Sequence, residues 1–264
     1  MIELPEGWEL AGDGQALRCA ALPARHAFST RMGGVSEGLY GSLNVGMHSG
    51  DAGDRVRENR ERFRVAGAFD RVWIAVHQVH GPDVAVVDDA GRADREQADA
   101  VVCGARGVPV AVYTADCTPI LLADRHGRAV AAIHAGWRGT AAGVVARAIE
   151  SLARQFDVAA RDLVAAIGPA ARRCCYEVGE EVVAALEQAD PGPTRDDREG
   201  WQAVGPRRPH VDLPVLVRRQ LRAGGVPAEF IYASGICTLC RADLCFSYRR
   251  DGQASGRMVS VVQL

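Results

Sequence analysis

The 264-residue sequence has no lysine: all 31 of its basic residues are arginine. Schiff-base chemistry, including a pyridoxal-phosphate anchor, needs a primary amine on a side chain and is therefore excluded. A phosphate loop of the GxxxxGK(S/T) type is excluded on the same ground. Arginine is the sole charged handle for phosphate or carboxylate, which it grips bidentately. A GC-rich genome suffices to explain the bias, and the exclusion holds whatever its origin. Also absent is a long apolar run, for no window approaches the roughly 20 apolar residues of a membrane span. The first 14 residues have neither the cationic start nor the apolar core of a secretory signal. A formal net charge of −2 lacks the basic surplus of a nucleic-acid or anionic-membrane binder. These absences lead us to expect a cytoplasmic protein that binds neither membrane nor nucleic acid; a monomer acting on a small molecule is a separate expectation.

What is present is ordinary globular material, 48% hydrophobic and 24% charged. The length suits one large core, and we read residues 1–264 as a single domain. Eight cysteines (Cys19, Cys103, Cys117, Cys174, Cys175, Cys237, Cys240 and Cys245) without a signal peptide argue for reduced thiols and against a disulfide framework. Cys237-x-x-Cys240 with Cys245 nearby has the outline of a metal knuckle. No second CxxC or HxxxH supplies a matching fourth ligand, so packing is the expected role there. Cys174-Cys175 reads as core or helix-start packing.

Strands and helices alternate along the chain. Strands are expected at Val72–Val76, Val84–Val87, Val108–Tyr113, Ile120–Ala123, Ala129–Ile133, Leu163–Ile167, Ile231–Tyr232 and Met258–Val262. Helical spacing follows Gly139 (Val144, Val145, Ile149, Leu152), recurs at Val182, Val183 and Leu186, and again at Leu213, Val217 and Leu221 before Gly224-Gly225. The proline-rich polar interval Asp190–Pro209 reads as a surface loop. The pattern is an α/β or α+β domain, with connectivity left open.

Three segments place potential ligands at or just past the ends of apolar strands: Gln78-Val79-His80-Gly81, Thr114-Ala115-Asp116-Cys117 and His134-Ala135-Gly136-Trp137-Arg138-Gly139. Strand ends present polar side chains rigidly at a sheet's rim. His80, Cys117 and His134 match a catalytic zinc, with three protein ligands and a fourth position for water, which the metal would activate. A buried cysteine with two structural histidines fits the spacing too. In an extended strand His77 faces away from His80, alongside Trp73 and Ala75, which suits a packed or surface histidine. His26, His48, His126 and His210 read as exposed or structural.

The chain resembles the YfiH family, also called laccase-domain or polyphenol-oxidase-like. The matching segments are SLNVG with GD and RENR, then QVHG, TADCTPILLAD, HAGWRG, AAIGP, CYEVG and ICT…FSYRRD…GR. They stand in family order from about Phe28 to the C-terminus. The resemblance implies an α/β sandwich in layers and one zinc per chain on His80, Cys117 and His134. It also implies phosphorolysis of adenosine, inosine, guanosine and methylthioadenosine, with adenosine deaminase activity besides. Editing of peptidoglycan precursors, with Cys117 or the metal as attacker, is a second implied activity, and a non-catalytic zinc-binding module is a third reading. A multicopper oxidase needs roughly ten histidines, several in His-x-His pairs. Seven histidines and no such pair do not build that centre, although these donors are compatible with copper itself.

Phosphorolysis requires a cationic phosphate site. Arg31, in the glycine-rich loop STRMGGVSEGLY, is the first candidate, with Arg138 and Arg249, and then Arg57, behind it. Ser42 and Asn44 could hydrogen-bond ribose or base, Asn44 being equally suited to a turn. No residue qualifies as general acid or base: Asp116 adjoins a ligand but faces the other way along a strand, and Glu177 is no better placed.

Overall fold

The computed structural model describes residues 4–192, 200–204 and 208–264. The strands are β1 (Trp8–Ala11), β2 (Ala16–Cys19), β3 (Arg25–Ser29), β4 (Val84–Val87), β5 (Ala100–Cys103), β6 (Val110–Thr114), β7 (Thr118–Asp124), β8 (Val130–Ala135), β9 (Leu163–Ile167), β10 (Gln202–Val204), β11 (Pro209–Val211), β12 (Ile231–Ala233) and β13 (Met258–Gln263). The helices are α1 (Gly53–Ala66), α2 (Trp137–Ala141), α3 (Val144–Phe156), α4 (Glu180–Gln188), α5 (Leu213–Ala223) and α6 (Tyr248–Asp251).

Two sheets form the centre, the first antiparallel throughout and the second mixed. One has the order β1-β2-β3-β13-β6 and the other β12-β9-β7-β8-β5-β4. Alternation along each strand divides its residues between two faces. Leu121, Ala123, Val130, Ala132, Val164 and Ala166 face the first sheet, where they meet Leu17, Phe28, Val110, Val112 and Val262. Ile120, Leu122, Ala131, Ile133, Ala165 and Ile167 point the other way, onto Val144, Val145, Ala148, Ile149 and Leu152 of α3 and Val217 and Leu221 of α5. Each fully buried Leu or Ile in these layers contributes about 1.5–3 kcal/mol. The outer face of the first sheet is closed by Phe63 of α1 with Phe69 and Trp73. The result is an α/β sandwich of helix, sheet, sheet and helices, as expected.

Three expectations are corrected. Val72–Val76 is not a strand: it is extended but makes only single bridges, Ile74 to Val110 and His77 to Gln97. Ile74 N–H donates to the Pro109 carbonyl, and Pro109 has no N–H with which to continue a ladder. Further along, the Gln78 carboxamide stands in for a backbone rung, donating to Tyr113 O at 2.8 Å and accepting from Tyr113 N at 2.7 Å. The interval Asp190–Pro209 is not wholly loop either, since β10 pairs with β11. Its residues 193–199 and 205–207 lie outside the described residues. Finally, β8 runs on through His134, so this residue is a strand residue and not one beyond a strand end.

Candidate metal centre and cavity

The trio sits where the two sheets part. β6 belongs to one sheet and β7 to the other, and only Ala115, Asp116 and Cys117 join them. Asp116 makes the turn with φ +89°. Its carboxylate accepts from Thr238 Oγ1 (2.5 Å), Ser247 Oγ (3.0 Å) and the Arg249 backbone N–H (2.7 Å), so both oxygens are engaged in holding this corner.

The donor atoms of His80, Cys117 and His134 all lie within 4.8 Å of one another. The two imidazoles meet edge to face, with centroids 4.8 Å apart. His134 is buried, Cys117 half-buried and His80 exposed, so the group is open on one side. Gly136 leaves the room: a Cβ there would stand 3.0 Å from His80 Cδ2 and 3.1 Å from Cys117 Sγ.

A residue that sequence reading missed organises the trio. Asp99, fully buried, accepts from His134 Nδ1 at 2.7 Å through Oδ1. It also accepts from the backbone N–H groups of His80 (2.9 Å, Oδ1), Val79 (3.1 Å, Oδ2) and Gly81 (2.7 Å, Oδ2). One carboxylate thus fixes the QVHG loop, holds His80 at its left-handed φ of +61°, and orients His134. With Nδ1–H bound to Asp99, Nε2 of His134 is left as the donor, which is the arrangement metal-binding histidines favour. Burial resists ionisation of Asp99, but His134 and the Gly81 and Val79 amides hold it below its usual range. Burial likewise opposes ionisation of Cys117, yet His134 and His80 outweigh it and bring the thiol down to about 6. His134 rises to about 9 against its own burial, through Cys117 and Asp99. Two nitrogens and a readily formed thiolate in this arrangement suit a borderline-soft cation.

The trio opens into a cavity of about 1030 Å³. Trp73, Tyr113, Tyr176 and Tyr248 line it, as do Arg60, Arg249 and Arg257. The Arg249 guanidinium lies 5.3 Å from the Tyr176 ring centre and donates to Glu177 O at 2.8 Å. Arg60, the last residue of RENR, lies over Trp73 and Tyr113, and its buried Nε has no hydrogen-bond partner among the described residues. Burial lowers the pKa of Arg60, and of Arg257 as well. His77 and His48 are exposed and also line the cavity.

Of the expected substrate-binding residues, Arg249 lines this cavity and the others do not. Arg31 donates through Nε to Gly41 O (2.8 Å) and through Nη1 to Ala242 O (2.9 Å), and stacks on Phe246. Two of its three side-chain nitrogens are thus spent on backbone carbonyls, one in the glycine-rich loop and one at Ala242. Ser42 Oγ is taken by Arg31 O and the Gly34 N–H. Asn44, fully buried, donates to Ser49 and Asp51 and accepts from the Gly46 and Arg257 N–H groups. It positions cavity-lining segments from behind. Arg138 is exposed and lies over its neighbour Trp137, and Arg57 is exposed on α1. Arg60, Arg257 and Asp99 were missed; the RENR and GR segments were the available signals for the two arginines.

Among curated relatives, "Purine nucleoside phosphorylase YlmD" of Geobacillus stearothermophilus is 36% identical over 258 residues, 93% of each chain. "Purine nucleoside phosphorylase ORF3" of Streptomyces griseus is 43% identical over 244 residues, 91% of this chain and 94% of the relative. The crystal structure of the Geobacillus YlmD superposes with a TM-score of 0.86 at 34% identity, covering 100% of this chain and 97% of that one. The Bacillus licheniformis YfiH structure gives 0.87 at 28% identity, covering 98% and 99%. A family model described as "Multi-copper polyphenol oxidoreductase laccase" matches residues 25–264. The chain belongs to this laccase-like family, the YfiH family.

Proposed function

We propose that the chain is a purine nucleoside phosphorylase dependent on one catalytic zinc per chain, acting on adenosine, inosine, guanosine and methylthioadenosine, with adenosine deaminase activity at the same site. The observation that carries the reading is the junction of an open His80–Cys117–His134 trio with an aromatic and arginine-walled cavity of about 1030 Å³. That volume is at the upper end of ordinary small-molecule sites and suits a nucleoside with phosphate beside it. Relatives named purine nucleoside phosphorylases support the same reaction. When bound, zinc supplies Lewis-acid polarisation and activation of water.

The chain's own residues do the rest. Trp73, Tyr113, Tyr176 and Tyr248 offer flat faces for a purine. Arg249 and Arg257 take the phosphate, with Arg60 contributing charge from a dehydrated position where it counts for more. In phosphorolysis a phosphate oxygen bonds to ribose C1′ while the C1′–N9 bond breaks, and the purine leaves with its electron pair and takes up a proton. Arginines that neutralise phosphate as charge redistributes stabilise that transition state. We place the protein in the cytoplasm as a monomer. The test is purified, zinc-loaded protein incubated with adenosine and phosphate, read by chromatography for adenine, ribose 1-phosphate and hypoxanthine. Adenine with ribose 1-phosphate is the expected outcome, and hypoxanthine reports deamination. Release of an amino acid from a muropeptide precursor, with no nucleoside cleavage, would transfer the site to the editing alternative.

A further inference from the structure

The four cysteines of two distant sequence pairs converge on the far side of the Tyr176 segment. The sulfurs of Cys174, Cys175, Cys237 and Cys240 all lie within 4.8 Å of one another. Cys240 Sγ stands 3.6 Å from Cys174 Sγ and 3.3 Å from Cys175 Sγ. Four sulfurs on a tetrahedral ion at about 2.3 Å are about 3.8 Å apart, whereas a disulfide brings two to about 2.05 Å. The observed spacing is close to the first and far from the second.

The backbone presets this grouping. One limb is the turn in which Cys175 N–H and Tyr176 N–H donate to Arg172 O, and the other is the turn closed by Arg241 N–H on Cys237 O. Ala170 and Cys237 form a bridge, with Ala170 N–H on Ile236 O and Thr238 N–H on Ala170 O, which fixes the limbs in register. Cys245, the sequence neighbour of the CxxC pair, is buried in the core between the sheets and is not part of the cluster. The missing fourth ligand of the CxxC knuckle is supplied, with a third, by the adjacent pair some sixty residues upstream.

We propose that Cys174, Cys175, Cys237 and Cys240 hold a second zinc ion, structural and closed by four thiolates. Four protein thiolates leave no position for water or substrate, unlike the three-donor trio. On binding, four S–H bonds break, the protons pass to solvent, and four S–Zn bonds form with no change in oxidation state. The ion staples two segments that build the cavity wall. One continues into Tyr176 and Glu177, which hold Arg249. The other carries Thr238, which anchors Asp116 beside Cys117. Loss of this ion should therefore loosen the cavity wall without removing a ligand of the trio.

Metal analysis of the full chain, stripped with a chelator and reloaded with zinc alone, tests the proposal independently of the catalytic reading. Two zinc ions per chain are expected in the parent protein and one each in Cys240→Ser and His134→Ala. Cobalt-loaded His134→Ala should keep the strong thiolate-to-cobalt absorption of a four-sulfur site, and the added Cys240→Ser change should weaken it. In the zinc-loaded parent, Cys174 and Cys240 should resist alkylation despite their exposure, and chelation should release them. One zinc in the parent with unchanged content in Cys240→Ser overturns the proposal. So does peptide mapping that finds these cysteines paired as disulfides. If Cys240→Ser does not fold, the stoichiometry and alkylation of the parent decide alone.

Discussion

Replacing Asp99 by asparagine tests whether one buried carboxylate sets the trio's geometry. Each carboxylate oxygen accepts two hydrogen bonds, Oδ1 from His80 N–H and His134 Nδ1–H, Oδ2 from the Val79 and Gly81 N–H groups. An amide keeps the shape but turns one oxygen into a donor. Placed at Oδ2, its NH₂ faces two backbone donors and the loop bearing His80 loses its anchor. Placed at Oδ1, it confronts His134 Nδ1–H and favours the tautomer that protonates Nε2, the nitrogen needed by a metal. Both orientations damage the site. Loss of such an outer partner costs roughly 10- to 100-fold in metal affinity. Two lost charge-assisted hydrogen bonds cost about 3–6 kcal/mol of stability at about 1.5–3 each. We expect Asp99→Asn to show that affinity loss in a competition titration against a chromophoric chelator. The metal-free variant should show a matching fall in denaturant midpoint. Affinity within about threefold of the parent, far short of the outer-partner range, would refute the anchoring role.

The remaining predictions concern the same cavity. In metal-free protein, Cys117 should alkylate with a rate that rises through about pH 6, well below an ordinary thiol. The sign follows for stability: the depressed Cys117 contributes above its unfolded value of 9.0 and is lost as pH falls through about 6. The raised His134 contributes below 6.5 and is lost as pH rises through about 9, so between the two folded values the opposing slopes nearly cancel and this pair should leave apo stability almost independent of pH there. An alkylation midpoint near 9 would remove the proposed coupling. Arg249→Ala should cut phosphorolysis by roughly a hundredfold, the scale of losing one charge-stabilising contact, with metal content unchanged. Arg31→Ala should instead lower thermal stability, and a reversal of these two phenotypes would return the phosphate role to the Arg31 loop.

The legible parts of the fold are those where both faces of a strand are buried. β7, β8 and β9 read as unbroken apolar runs because one face packs on the first sheet and the other on α3 and α5. β1, β2 and β3 did not stand out, since strands as short as WELA and ALRC hold too few residues to establish a period. α1 hid for a related reason: of its 14 residues only Val56, Asn59 and Phe63 are buried, and one of those is polar. The candidate metal trio was legible in His80, Cys117 and His134 because each lies in or just past a short apolar run, although only the runs before Cys117 and through His134 are strands. Asp99 was not, because its role comes from four partners brought together only by the fold. The cysteine cluster escaped for the same reason, its halves being joined by a bridge between Ala170 and Cys237 that no spacing announces.

The laccase description of the family and the chemistry of this site can be separated by geometry. Among the described residues, the groups able to hold a metal are the His80–Cys117–His134 trio and the four-cysteine cluster. The other histidines do not assemble into a copper cluster. His26 is buried, with Nδ1–H donating to Ala24 O and Nε2 accepting from Cys19 N–H, so both ring nitrogens are occupied. His126 leans on Asp162 at the far end of β7, and His210 sits in β11. His77 and His48 line the cavity but belong to no donor group. The trio itself is stiff: His80 and Asp116 both adopt left-handed backbone conformations that cost roughly 1–2 kcal/mol each in a non-glycine residue. Each is offset by a carboxylate network, His80 by Asp99 and Asp116 by its own bonds to Thr238, Ser247 and Arg249. A preset, three-donor site with an open side suits polarising a substrate or activating water at a single metal ion. It does not provide the several coupled coppers that oxidase chemistry requires.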